Sequence, residues 1–517
     1  MAFLNRVTPL RILLLILLVG MVGTAVASAQ DDAVFRAGMA PPVVLDPALH
    51  TNDPETALNR AIYDYLVEVL PDATVSPNLA TEWTISDDLL TYTFTLREGV
   101  TFHDGSPFTS ADVVFTFQRL QEVTSPALNL LGEFEVSAPD ANTVVFTLAA
   151  VNADFIYGVG ATQALIIQDG STEPNVIVEG DNPLVNFNGT GPFSLESFSP
   201  GARAVFTTNA DYWGAPIAFG SMEHIYFDDI VAQVDALLSG ELDFIAKFPA
   251  AQADRIEAAD NVVLIELATS QHPVIRLRTD EGSLGEDVRV RQALKFATDR
   301  EALNDILLQG RGVIGNNDPI APVFSFFFDD TVDNRGYDPE MACALLEEAG
   351  IGTLETTLYG PNSFEYEDLA AVLEQQWEST GCFDIDIQIF EEGLYYDLSN
   401  PTNYFDVQLG ITGWGDRPSP QILLREAYTA SGIATGFNES RFIDEEIEAL
   451  VAQANETTDP ETRRQIYAQV SEIFRERGPI IIPYFAPLFG ATSDRVQGLA
   501  MAPFVGRTDF RSVSLDG

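Results

Sequence analysis

The most constraining feature of this sequence is an alternation of periods between Pro339 and Ile411. A helical stretch (Pro339 to Ala349) precedes a strand (Glu355 to Tyr359), a helix (Glu367 to Ser379), a strand (Phe383 to Phe390), a further helix and a strand (Phe405 to Ile411). That order predicts a βαβ layer with a parallel or mixed sheet, and so an α/β protein. Elsewhere Thr81 to Arg97, turning at Asp87-Asp88, and Glu133 to Leu148, turning at Asp140-Ala141-Asn142, have the period of two expected of hairpins. Between them Thr109-Ser110-Ala111-Asp112 reads as a capping box opening a helix through Leu120. A further helix is expected over Glu55 to Val67, and a long amphipathic pair over Asp444 to Asn455 and Pro460 to Arg475. The breaker cluster Asn188-Gly189-Thr190-Gly191-Pro192 and the segment Glu281-Gly282-Ser283 are candidate domain boundaries.

Charge narrows the partners. The chain has 27 Lys plus Arg against 77 Asp plus Glu, a formal net charge of −50. Neither nucleic-acid phosphates nor an anionic membrane surface is an expected partner for so acidic a chain, since each needs a basic footprint. Only Lys247 and Lys295 are lysines, and neither follows a glycine, which excludes a P-loop. Aromatics at 10% and hydrophobics at 46% mark a folded protein with a core.

Arg6 and Arg11, the apolar run from Ile12 to Val26 and the small residues Ala27-Ser28-Ala29 read as a signal peptide over residues 1–29, cut before Gln30. An uncleaved anchor is the alternative. No Cys lies near the cut for acylation, so the expected product is soluble and exported, periplasmic or at the extracellular face of the membrane. In an oxidising compartment Cys343 and Cys382 are expected to form a disulfide, with two buried free thiols as the alternative.

Catalytic and metal chemistry finds little support. The four histidines, at 50, 103, 224 and 272, include no pair at the i, i+4 spacing of a helical zinc site, and no Gly-x-Ser-x-Gly elbow occurs. His103-Asp104 stands in a Gly-containing turn before a capped helix and reads as structural. No metal, no cofactor and no catalytic residue is expected. More informative is Ile411-Thr412-Gly413-Trp414-Gly415-Asp416-Arg417-Pro418. A strand ends in a Trp between two glycines, followed by adjacent acid and base, and loops at strand ends of α/β sheets are where ligands bind. Such a set offers a zwitterion an aromatic wall, an acid for its ammonium and a base for its carboxylate. The alternative is a rigid turn with a solvated ion pair and Trp414 in the core.

Several ordered blocks resemble the family 5 substrate-binding proteins of ABC importers. They are LATEWTISDDLLTYTFTLREGVTFHDGSPFTSADVVFTFQRL from Leu79 to Leu120, GTGPFSLESFSPGARAVFTTNADYW from Gly189 to Trp213, DVRVRQALKFATDREAL from Asp287 to Leu303, YFDVQLGITGWGDRPSP, and GPIIIPYF from Gly478 to Phe485. The resemblance implies a two-lobed periplasmic-binding-protein fold (type II, cluster C) with an extra domain inserted in lobe one. Lobe one would comprise 30–78, 189–281 and 486–517, the inserted domain 79–188, and lobe two 282–485. It further implies a monomeric receptor that closes on a peptide or similar small polar solute and presents it to the importer's permease subunits. By position, Gly413, Trp414, Gly415, Asp416 and Arg417 become ligand-binding candidates, with Asp416 meeting an amino terminus. The loop Leu45 to Asn52 resembles a cleft-facing one and adds His50 and Thr51, with a surface loop as the alternative. The sequence departs from the family pattern in having one residue fewer between Trp414 and the acid, Arg417 after it, and Ser419 where an Asp before Pro is common.

Alternative readings are a secreted hydrolase, and a solute sensor or chaperone with the same fold. The near absence of lysine in so acidic a chain fits a surface adapted to a salty or harsh exterior, where added salt screens self-repulsion. The melting temperature is therefore expected to rise with salt concentration, and a flat profile would refute this reading.

Overall fold

A computed structural model describes residues 33–516 except 172, 178–183, 333–335 and 364. The signal segment 1–29 lies outside the described residues. Strands fall mainly into three sheets. The largest has seven strands in the order Val262–Leu267, Leu488–Ser493, Phe244–Ala246, Val34–Met39, Ser221–Tyr226, Arg203–Thr208 and Phe193–Ser199. Val34–Met39 runs parallel to both its neighbours, while the outer pairs are antiparallel.

The second sheet has five strands, Phe383–Phe390, Leu354–Pro361, Leu409–Trp414, His272–Leu277 and Ile480–Ile481. Its first three strands are parallel and the others antiparallel, the mixed sheet that the alternation after Pro339 predicts. One strand corrects the expected boundary at Gly282. His272–Leu277, grouped from sequence with lobe one, is buried at all six positions and pairs with Leu409–Trp414, from His272 opposite Trp414 to Leu277 opposite Leu409. A strand apolar on both faces is stable only between two covering layers, and the five-stranded sheet supplies them. One side holds the core around Leu358, Leu373 and Trp377; the other holds that around Val274, Tyr467 and Phe474. The chain thus passes between the two large sheets twice, at residues 268–271 and 486–487.

The two sequence hairpins form a separate antiparallel sheet, Ala80–Ile85, Thr91–Leu96, Thr143–Leu148 and Phe134–Asp140. Helix Ser110–Glu122 covers it, opened by the expected capping box, in which the Thr109 N–H donates to Asp112 Oδ2 at 2.7 Å. Phe117 meets Phe146 edge-on at 4.8 Å, and Tyr92 packs on Phe155 at the same distance, so aromatic contacts fill this core. His103 is structural, as its turn suggests, with its ring between Gly191 O (3.0 Å) and Gly189 N (3.4 Å).

The expected helix over Glu55 to Val67 is shorter, Asp53–Ile62, and Val67–Val69 is a strand. Gly191 N–H donates to the Ile62 carbonyl at 2.8 Å, and a Cβ on Gly189 or Gly191 would collide with that carbonyl. The glycine cluster itself therefore stops the helix. Lys247 holds a left-handed φ of 63°, fixed by its N–H to Phe489 O (2.7 Å) and by its ammonium, 3.0 Å from Asp53.

Cys343, on helix Pro339–Glu348, and Cys382, at the head of strand Phe383–Phe390, are joined as a disulfide across 39 residues of sequence, with Cα atoms 5.6 Å apart. Closing a loop of that length restricts the unfolded chain by about 3–4 kcal/mol. Replacing both cysteines by Ser should lower the unfolding free energy by that amount in denaturant titrations; a change below about 1 kcal/mol would show that the bridge contributes little.

Candidate ligand cleft

The loop after strand Leu409–Trp414 faces the four-stranded layer and the carboxyl-terminal segment across a cavity of about 920 Å³, counting the space open to solvent. One wall carries Val323, Phe324, Asp416 and Arg417; the others come from residues 69–73, 126–130, 157–163 and 502–507.

Asp416 is tied to the first crossing between the sheets. Its Oδ1 accepts from the Ser270 N–H at 2.9 Å and from the Ser270 hydroxyl at 2.7 Å, and that hydroxyl accepts from the Arg417 N–H at 3.1 Å. Ser270 belongs to the segment 268–271, where Thr269 Oγ1 donates to Ala486 O and Ala486 N–H to Gln271 O, both at 2.8 Å. The two crossings are thereby bonded to each other and to the carboxylate. Burial raises the Asp416 carboxyl above the ordinary range, opposed by the Ser270 donors and the Arg417 charge. The Arg417 guanidinium lies over the Trp414 ring at 5.6 Å and donates to Asp416 O at 3.1 Å.

The other sequence candidates are placed differently. Trp414, expected as an aromatic wall, is 8% exposed and belongs to the core, with the ring of the exposed Phe437 at 5.8 Å. Its strand is covered from behind, where Thr412 Oγ1 donates to Glu439 at 2.7 Å and Arg276 stands 3.6 Å from the same carboxylate. Gly413 is required by packing, since a Cβ there would occupy the position of the Tyr366 hydroxyl; Gly415 is open. His50, expected to face the cleft, is fully buried, 3.3 Å from Asn59 Nδ2, and desolvation lowers its pKa to about 4. It touches the cleft wall through its backbone, the carbonyl accepting from Gln163 Nε2 at 2.7 Å. Thr51 is exposed, and its N–H caps Glu55.

Sequence reasoning missed a second tie on the same loop. Ser419, which caps helix Pro420–Tyr428, donates to Asp154 Oδ2 at 2.7 Å, and Asp154 Oδ1 is 2.7 Å from Arg463 on helix Pro460–Arg477. Both charges are about 3% exposed, and Arg463 also donates to the Tyr467 hydroxyl. Asn455 adds a bond to Val151 O (2.7 Å) and Arg425 one to Asn129 O (2.8 Å). Nothing in the local pattern around Asp154 signals a partner more than 250 residues away.

Residues 74–435 match the profile of the bacterial extracellular solute-binding proteins, family 5 Middle. The chain belongs to this family. It is 26% identical over 526 residues to the dipeptide-binding protein of Escherichia coli K12, covering 95% of this chain and 96% of the relative. It is 27% identical over 533 residues to heme-binding protein A of Haemophilus influenzae, covering 95% and 94%. The solved structure of HbpA2 from Haemophilus parasuis superposes with a TM-score of 0.82 at 27% identity, covering 94% of this chain and all of that one. The fold is thus the two-lobed one of the periplasmic binding proteins. No helix among the described residues is long and apolar enough to cross a membrane.

The Asp154–Arg463 pair yields a stability prediction. Removing one partner strands a buried charge at a cost of about 3–5 kcal/mol, whereas replacing both by apolar groups of similar volume costs much less. Arg463→Met should therefore destabilise more, by denaturant titration, than Asp154→Leu combined with Arg463→Met. Equal losses would mean that packing rather than charge carries the contact.

Proposed function

We propose that the protein is the extracytoplasmic receptor of an ABC importer, capturing a short peptide or similar small polar solute between its lobes and handing it to the permease. It is exported by its amino-terminal signal, works as a monomer and does no chemistry on its cargo. Lobe one comprises residues 30–78, 189–271 and 486–517, lobe two residues 272–485, and 79–188 form the inserted domain. The observation carrying this reading is the placement of Asp416: a carboxylate on the cavity between the lobes, bonded to the segment where the chain crosses between them. An ammonium bound there interacts with the network about which closure occurs, the arrangement a closing receptor requires. Family membership and the dipeptide-binding relative support the same reading. Asp416 holds the ligand's ammonium, and Arg417 is positioned for its carboxylate.

Calorimetry against di- to hexapeptides, opines, metal chelates, oligosaccharides and haemin tests the proposal. Peptide binding is expected, and Asp416→Asn should weaken it by about 1.5–3 kcal/mol through loss of a charged hydrogen bond. Because burial raises the Asp416 carboxyl, protonation begins at a higher pH than for a free carboxylate. Affinity should fall as the pH is lowered, and the Asn variant should lose that dependence. Binding of haemin or an oligosaccharide with no response to peptides would overturn the reading.

A further inference from the structure

The cavity has one ionic end and an apolar body. Most polar side chains in its wall are already engaged. Gln163 is held by the His50 carbonyl, the Tyr157 hydroxyl donates to Ala73 O at 3.1 Å, and the Arg507 guanidinium is bound by Gly160 O (2.5 Å) and Glu68 (3.2 Å) while lying over the Tyr65 ring at 4.4 Å. Asp416 Oδ1 is taken by Ser270, and Oδ2 has no hydrogen-bond partner among the described residues. The Arg417 guanidinium has no carboxylate within ion-pair distance among them. Apart from the Thr162 hydroxyl, the rest of the wall is hydrocarbon and aromatic, including Leu70, Pro126, Leu130, Phe324 and Phe504.

We propose that this cavity selects its cargo by a bulky apolar side chain, so that the preferred ligands are short peptides carrying Leu, Ile, Met or Phe next to the free ammonium. The inference rests on the peptide reading above and adds the ligand class. The ammonium sits against Asp416, which fixes the first residue at the ionic end and directs its side chain along the apolar wall. A leucine-sized group there leaves water and gains the full transfer free energy. A lysine or glutamate side chain would instead carry its charge along the hydrocarbon wall, away from the Asp416 and Arg417 charges that the peptide's own termini occupy, which disfavours it. Glycine would leave the wall wetted.

Calorimetry at pH 7 with Leu-Leu, Gly-Gly, Lys-Lys and Glu-Glu, using the full chain, tests the claim. Leu-Leu should bind about thirtyfold or more tighter than each of the others. Leu70→Asn and Leu130→Asn lie on the partly exposed wall; each should weaken Leu-Leu about tenfold and leave Gly-Gly within twofold, with melting temperatures confirming folded protein. Gly-Gly or Lys-Lys binding within threefold of Leu-Leu would overturn the side-chain preference while leaving the peptide reading intact. Binding by none of the four, together with no response to longer peptides, would overturn both. Unchanged Leu-Leu affinity in both Asn variants would place the side chain elsewhere and sink the proposal.

Discussion

The structure turns on a single shared carboxylate. Asp416 gives one oxygen to Ser270, within the first of the two segments that pass between the large sheets, and its loop lies on the cavity. The same segment is bonded to its counterpart through Thr269, Gln271 and Ala486, so the bonds around that carboxylate lie at the connections between the two large sheets. A ligand charge placed at the other oxygen alters the energy of this network directly. If Asp416 binds the ligand as proposed, recognition and lobe movement share one set of bonds.

The loop bearing Asp416 is held at both ends. Ser270 fixes its start, and Ser419 fixes its finish through Asp154 and Arg463. A buried ion pair of this kind contributes little net stability, because desolvating two charges offsets most of their attraction, but it tolerates few alternative arrangements. Its value lies in specifying where the four-stranded layer docks. With Asn455 and Arg425 alongside, the contact sets that layer against the helices of the second lobe, so the cavity acquires walls from three parts of the chain.

Features governed by local periodicity were legible in the sequence. The hairpins around Asp87 and Asp140, the Thr109 capping box and the layer after Pro339 appear where the patterns place them, except that the strand expected over Phe405 to Ile411 lies at Leu409–Trp414. Features decided by distant packing were not. The helix after Asp53 stops where Gly191 claims its last carbonyl, a bond invisible from either segment alone. His272–Leu277, with His, Pro and Arg among its six residues, does not read as a buried central strand; it becomes one because Arg276 finds Glu439 and Val407 O inside the second lobe. In the site, the adjacent acid and base at 416 and 417 marked the cavity loop, but Trp414 was claimed by the core and His50 by the packing beneath its loop. Aromatic and imidazole side chains serve cores as readily as ligands, and only burial separates the two uses.

The scarcity of lysine has a practical side. Lys295 is fully buried, with its ammonium against Phe474 O, whereas the Lys247 side chain is half exposed on the seven-stranded sheet's side of the molecule. Amine-reactive chemistry on the folded protein therefore meets one accessible lysine address besides the chain's amino terminus. A dye or spin label attached there would ride on one lobe without touching the Asp416 loop, giving a nearly single-site handle for following how the lobes move on each other in solution.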